Sequence, residues 1–148
     1  MKKKYSLVAA LLSTAMVASI VTSAMPVAAV SSNTMTIGSL TTEFQELAEG
    51  LEVEQPRFGW KMDSNLIGAK QTAYQIVVKD MGGKIVWDSG KQKDDCSISV
   101  RYGSTGTAQE LKPESKYQWN VTVWDETGVS NTSDTSYFTT GLYGNWDG

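Results

Sequence analysis

Side chains able to do acid, base or nucleophilic chemistry are scarce in this chain. Its 148 residues include no His, one Cys, 16 Asp plus Glu and 13 Lys plus Arg. Without imidazole, Ser-His-Asp and Cys-His catalysis drop out, and a zinc site would have to rest on carboxylates and one thiol. Two carboxylate pairs remain, Asp94/Asp95 and Asp125/Glu126. A working acid–base pair must converge on a cleft and hold one proton against solvent. Neighbours along a strand point to opposite faces, and both pairs fall in turn sequences where water would solvate them. Asp88, Asp94, Asp95 and Asp125 lack the repeated ligand spacing of a calcium loop, so solvation is the preferred reading there too. No catalytic residue, cofactor or metal ligand is therefore assigned. Cys96, in Cys96-Ser97-Ile98, reads as a small half-buried strand residue, with an intermolecular disulfide as the alternative.

Five Trp residues carry the remaining chemical interest. Trp60 and Trp119 fall on the inward register of their strands, and Trp87 is in phase with Ile85, so all three are assigned to the core. Trp124 lands on the outward register, and Trp146 lies beyond the last strand. An aromatic face at a surface can stack on a sugar ring or pack against another domain. Trp124 and Trp146 are the two candidate contact residues, with packing on a neighbouring domain preferred.

The elements that must place these residues follow a period of two. Phe58, Trp60 and Met62 alternate with Arg57, Gly59 and Lys61, after Pro56. Tyr74, Ile76 and Val78 alternate with Gln75, Val77 and Lys79. Asp80-Met81-Gly82-Gly83 then predicts a hairpin into Lys84-Ile85-Val86-Trp87, ended by Asp88-Ser89-Gly90. A strand over Ser97 to Arg101 would put Ile98 and Val100 on one face. The longest alternation sets Tyr117, Trp119, Val121 and Val123 against Gln118, Asn120, Thr122 and Trp124, as in a central strand. Asp125-Glu126-Thr127-Gly128 is the next turn, and Thr135 to Thr140 supplies the last strand. Glu43 to Glu49 is the sole helical candidate, and its acids suit a loop equally well. Seven or so short strands in about 110 residues predict an all-β, antiparallel seven-stranded β-sandwich. Leu111-Lys112-Pro113-Glu114-Ser115-Lys116-Tyr117 resembles a tyrosine corner, which narrows the type to fibronectin type III or immunoglobulin-like.

Upstream of these strands, Lys2, Lys3 and Lys4 precede a mostly apolar stretch from Leu7 to Val21 and the small residues Val27-Ala28-Ala29. This is the pattern of an export signal cleaved after Ala29, with a cut after Ala24 as the competing choice. The stretch is shorter than the roughly 20 residues needed to span a bilayer. The expected organisation is a signal over 1–29, a flexible leader over 30–35, the sandwich over 36–141, and a linker over 142–148 toward a downstream domain. Losing the signal's lysines lowers the formal charge from −3 to about −6. That acidity, without a basic aromatic patch, speaks against nucleic acid as a partner. The expected location is outside the cell or at its surface, with no stable membrane insertion after cleavage.

Taken together, Pro56-Arg57-Phe58-Gly59-Trp60-Lys61, Gln71-Thr72-Ala73-Tyr74-Gln75-Ile76-Val77-Val78, Trp87-Asp88-Ser89-Gly90-Lys91, Tyr117-Gln118-Trp119-Asn120-Val121 and Val123-Trp124-Asp125 resemble one family. It is the amino-terminal domain of bacterial α-L-rhamnosidases of glycoside hydrolase family 78. The resemblance runs from about Thr36 to the last residue, and Phe138-Thr139-Thr140-Gly141-Leu142 with Trp146 is similar to the segment leading into the next β domain. It implies a non-catalytic fibronectin type III-like spacer or docking domain. Hydrolysis of terminal α-L-rhamnose from glycosides or polysaccharides would belong to a helical domain absent from this sequence. An inverting glycosidase needs two carboxyls roughly 6.5–9.5 Å apart across a sugar-shaped cleft, which a small sandwich hardly offers. The implied partners are downstream domains of the parent enzyme and rhamnose-containing plant glycans. The stop at Gly148, in linker-like sequence, reads as a truncated gene model or fragment. The alternative is a free-standing extracellular glycan-binding or adhesion module using Trp124 or Trp146.

Overall fold

The structure is a computed structural model that describes residues 34–144. The expected signal, most of the leader and Trp146 lie outside the described residues. Nine strands occur among those described: β1 (Met35–Thr42), β2 (Ala48–Leu51), β3 (Arg57–Ser64), β4 (Gln71–Asp80), β5 (Ile85–Asp88), β6 (Val100–Arg101), β7 (Lys116–Asp125), β8 (Ser130–Thr132) and β9 (Ser136–Thr140). They form a three-stranded sheet in the order β1-β3-β6 and a larger sheet in the order β2-β9-β7-β4-β5, with β8 also paired to β7. All pairings are antiparallel except β2 with β9, which is parallel.

The expected count of about seven rises to nine. The last predicted strand forms as β9 on the first part of β7, and a short β8 forms ahead of it on the second part, with a break between the two. Ser133 bridges the break, its N–H donating to Val121 O at 2.8 Å and its hydroxyl accepting Val121 N–H at 3.0 Å. The other addition is β2, in the stretch that offered a helix. Ala48 and Leu51 have helix-like spacing, but both are buried, and they pair with Phe138 and Thr140 of β9 across a register shift that lies between them.

Alternation along β7 is strict. Tyr117, Trp119, Val121, Val123 and Asp125 are buried, while Gln118, Asn120, Thr122 and Trp124 are half-buried on the opposite face. Inward residues of the small sheet meet those of the large one around Phe58. Its ring lies 4.6 Å from Trp119, 5.9 Å from Phe138 and 6.0 Å from Trp87, centroid to centroid. Trp60, Trp87 and Trp119 are all core residues; the register of Trp60 and Trp119 implied it, whereas Ile85, the residue taken to be in phase with Trp87, is 48% exposed. Each indole N–H is satisfied: Trp60 donates to Gln71 Oε1 at 2.9 Å, Trp87 to Thr105 O at 2.7 Å and Trp119 to Thr42 Oγ1 at 3.1 Å. The last of these bonds joins the two sheets through their interior. Burial of such a ring contributes roughly 1.5–3 kcal/mol, and the bonded N–H avoids the penalty of a stranded donor.

The predicted turns form. Gly83 takes φ 87°, and its N–H donates to Asp80 O at 3.1 Å, while Asp80 Oδ1 accepts Lys84 N–H at 2.9 Å. The strand expected over Ser97 to Arg101 shrinks to Val100–Arg101, because Ser99 adopts φ 60° and breaks the alternation. Ile98 is consequently 65% exposed instead of sharing a buried face with Val100. Cys96 also departs from its half-buried strand assignment: it is exposed, in irregular chain, with its thiol directed at Ile98 O at 3.1 Å.

Candidate functional site

Four of the five carboxylates singled out in the sequence, Asp88, Asp94, Asp125 and Glu126, accept hydrogen bonds within the fold. Asp88 Oδ1 accepts Gln75 Nε2–H and Gly90 N–H, both at 2.8 Å. Asp94 Oδ1 accepts Cys96 N–H at 2.9 Å, and Glu126 Oε2 accepts Lys70 N–H at 2.6 Å. Asp125, expected in a solvated turn, is only 2% exposed. Its Oδ1 accepts from Thr127 N at 2.9 Å, Thr127 Oγ1 at 2.7 Å and Val129 N at 3.0 Å, so it builds the turn from within. Among the described residues, no three acidic or thiol side chains come together in a way that could hold a metal ion.

Trp124 is half-buried on the outward face of β7, as its register required. Lys91 covers the ring, with Nζ 4.2 Å from the centroid. A sugar stacking on that face would have to displace a favourable cation–π contact. Its companion candidate, Trp146, lies outside the described residues, so the two are not brought together in view.

A second surface was not singled out by the linear pattern. It is a groove of about 800 Å³ beside β3, with Gly59 at its floor and Phe44 and Ile98 at its sides. Gly59 pairs with Thr41 in the β1–β3 ladder and faces away from the core, between the inward Phe58 and Trp60. A Cβ there would lie 2.8 Å from Thr41 Oγ1 and 3.5 Å from Ser97 O, so glycine is what lets these groups close in.

Both sides of the groove are pinned from within the fold. Phe44 sits in a tight turn in which Glu43 and Phe44 take φ 47° and 66°, conformations uncommon outside glycine. Thr42 and Gln45 close that turn with two backbone bonds of 2.8 and 3.0 Å. Arg57 braces it. Glu43 Oε1 accepts Arg57 N–H at 2.7 Å and Nε–H at 3.1 Å, while Oε2 accepts from its terminal nitrogen at 2.8 Å. The same guanidinium lies 4.8 Å from the Phe44 ring centroid. The hydrogen bonds from Arg57 hold the Glu43 carboxyl below the usual carboxylate range, outweighing the opposite effect of its burial.

The opposite side, residues 94–99, is held by a buried amide. Gln71 accepts the Trp60 indole N–H and donates through Nε2 to Asp94 O at 3.1 Å and Cys96 O at 2.9 Å. Ser97 O also accepts Trp60 N–H at 3.0 Å. Gln71 thus acts through the wall it positions. The clue available in the sequence was Gly59 at an outward position in an otherwise well-formed strand, which marks a close approach.

The arrangement defines a class: an immunoglobulin-like β-sandwich with a surface groove and a tyrosine corner, in which the Tyr117 hydroxyl accepts the Lys112 N–H. Residues 37–144 match the family described as the Rha78A-like, N-terminal immunoglobulin domain, and the chain belongs to that family. Over 113 residues it is 37% identical to an α-L-rhamnosidase of Streptomyces avermitilis, a match covering 73% of this chain and 11% of that relative. The crystal structure of Streptomyces avermitilis α-L-rhamnosidase complexed with L-rhamnose superposes with a TM-score of 0.70 at 35% identity, over 77% of this chain and 11% of the other. The α-L-rhamnosidase structure from Dictyoglumus thermophilum gives a TM-score of 0.66 at 30% identity, over 74% and 13% of the two chains. The chain therefore spans about one ninth of the curated relatives it matches.

Proposed function

We propose that this chain is the non-catalytic amino-terminal domain of a secreted α-L-rhamnosidase of glycoside hydrolase family 78, exported by the signal over 1–29. In this reading, hydrolysis of terminal α-L-rhamnose from glycosides or polysaccharides belongs to a separate helical domain. The sandwich serves as a structural or docking element, with downstream domains as its immediate partners. The observation that carries the proposal is the scale of the match: most of this chain aligns with about one ninth of an α-L-rhamnosidase. The dispersal of its carboxylates into turns supports the same division of labour, since inversion at a glycosidic carbon needs two of them across one cleft. Lys91 over Trp124 offers nothing to favour the free-standing glycan module at that residue.

Two measurements test the proposal. The purified chain, mixed with an aryl α-L-rhamnoside, is expected to release no rhamnose above a heat-killed control; turnover would overturn the assignment of catalysis elsewhere. Added to the Streptomyces avermitilis enzyme lacking its matching segment, the chain is expected to co-elute with it on size exclusion. Failure to associate would remove the docking role.

A further inference from the structure

We infer that the groove over Gly59 is a binding site for a neutral oligosaccharide, distinct from the surface around Trp124. The inference stands apart from the reading above, because a non-catalytic domain with an empty groove would still satisfy that reading.

The first argument is electrostatic. The chain as a whole is acidic, with 16 acidic against 13 basic residues. The groove lining is instead balanced: Arg57, Lys61 and Lys70 against Glu46, Asp63 and Asp95. Counting Glu43, which pairs with Arg57, leaves this surface within about one charge of neutral. Neither a polyanion nor a polycation finds complementarity there. A neutral ligand does.

The second argument is the kind of atoms presented. Ser39, Thr41, Ser97 and Ser99 bring hydroxyls to the lining, and the exposed charged groups can donate to or accept from further hydroxyls. Phe44 and Ile98 add apolar surface, at 61% and 65% exposure. A saccharide ring has the same double character: hydroxyls around its rim and C–H groups on its faces. The volume of about 800 Å³ falls within the roughly 300–1,000 Å³ of ligand sites.

The third argument is preorganisation. An exposed aromatic normally turns freely, and ordering it on binding has an entropic cost. Here the turn bearing Phe44 is locked by Glu43 and Arg57, and the facing segment by Gln71 and Trp60. Ser39, Phe44 and Ser99, three lining residues, also hold positive φ. They are three of the six such non-glycine residues among those described, and strain of this kind is held where the surrounding structure over-determines the backbone.

The test uses amide chemical shifts of the full chain titrated with three probes: L-rhamnose, cellohexaose as a neutral glucan, and polygalacturonate as an acidic polymer. Saturable shifts with either neutral probe, centred on Gly59, Ser97, Ile98 and Ser99, are the expected result. Phe44→Ala should weaken that binding about tenfold, a loss of the size of one aromatic contact. Because Phe44 is exposed, its unfolding midpoint should stay close to that of the unmodified chain; Ile98→Ser serves as a second exposed-side variant. Preference for polygalacturonate, shifts centred on Trp124, or no shift with any probe would each overturn the inference. So would groove shifts that grow with protein concentration in the absence of sugar, which would give the groove to a second polypeptide.

Discussion

The phenolic oxygen of Tyr117 accepts the backbone N–H of Lys112 at 2.9 Å, tying the start of β7 to the segment that crosses into it. The ring itself is buried and stacks on Phe138 with centroids 5.4 Å apart. Tyr117→Phe keeps the ring and removes the acceptor. The variant should lose about 1 kcal/mol, and up to about 3 kcal/mol if the Lys112 N–H finds no water. Urea denaturation followed by Trp fluorescence measures it, and an unchanged midpoint would mean that the corner does not stabilise the domain.

Gly59 gives a sterically defined prediction. Gly59→Ala should destabilise the domain by about 1–3 kcal/mol, because the new methyl meets Thr41 Oγ1 at 2.8 Å. Removing that hydroxyl should recover part of the loss, so Thr41→Ala combined with Gly59→Ala is expected to cost less than the two single changes added together. A strictly additive double variant in thermal denaturation would show that the close approach is not the cause.

The fork between Glu43 and Arg57 makes an acid-side prediction. Its hydrogen bonds lower the Glu43 pKa in the folded chain. A depressed carboxylate pKa contributes stability that is fully present above the unfolded value of about 4.3 and disappears as pH falls through the folded value. Glu43→Gln should therefore differ most from the unmodified chain near neutral pH, and the two denaturation midpoints should converge below about pH 4. A gap that stays constant down to pH 3 would mean that the pair contributes no pH-dependent stability.

At alkaline pH the buried phenols take over. Desolvation raises the pKa of Tyr74, Tyr102 and Tyr143 above the ordinary phenol value. Raised values of this kind contribute stability that is intact below about pH 10 and is lost as pH climbs beyond it. Tyr102 is the most strongly shifted, and its hydroxyl donates to the backbone at Gln109 O, 2.7 Å away. The phenolate absorbance that Tyr102→Phe removes should appear together with loss of near-ultraviolet circular dichroism. Its appearance in the still-folded domain would contradict the burial argument.

Much of the sandwich was legible because its signals are local. The alternation in 117–124, the glycine turns after Asp80 and Asp125, and the Leu-Pro-Tyr spacing before β7 each involve residues a few positions apart, and all appear in the fold. An alternating strand buries one face wherever it is placed, so those inward Trp residues needed no knowledge of their partners.

Other features were decided only when distant residues met. The helical candidate Glu43 to Glu49 became a tight turn leading into the parallel edge strand Ala48–Leu51, because Arg57 and β9 supplied partners that its own neighbours did not. Asp125 became buried because Thr127 and Val129 folded back onto its carboxylate, while Ile98 and Cys96 became exposed because the chain around Ser99 turned out of the alternation. The sequence alone thus determined two layers of strands and the aromatic rows between them. The groove is a tertiary product: it needs Thr41, Gly59, Gln71 and Ser97 in one place, and a periodicity read along the chain carries no information about approaches between separate strands.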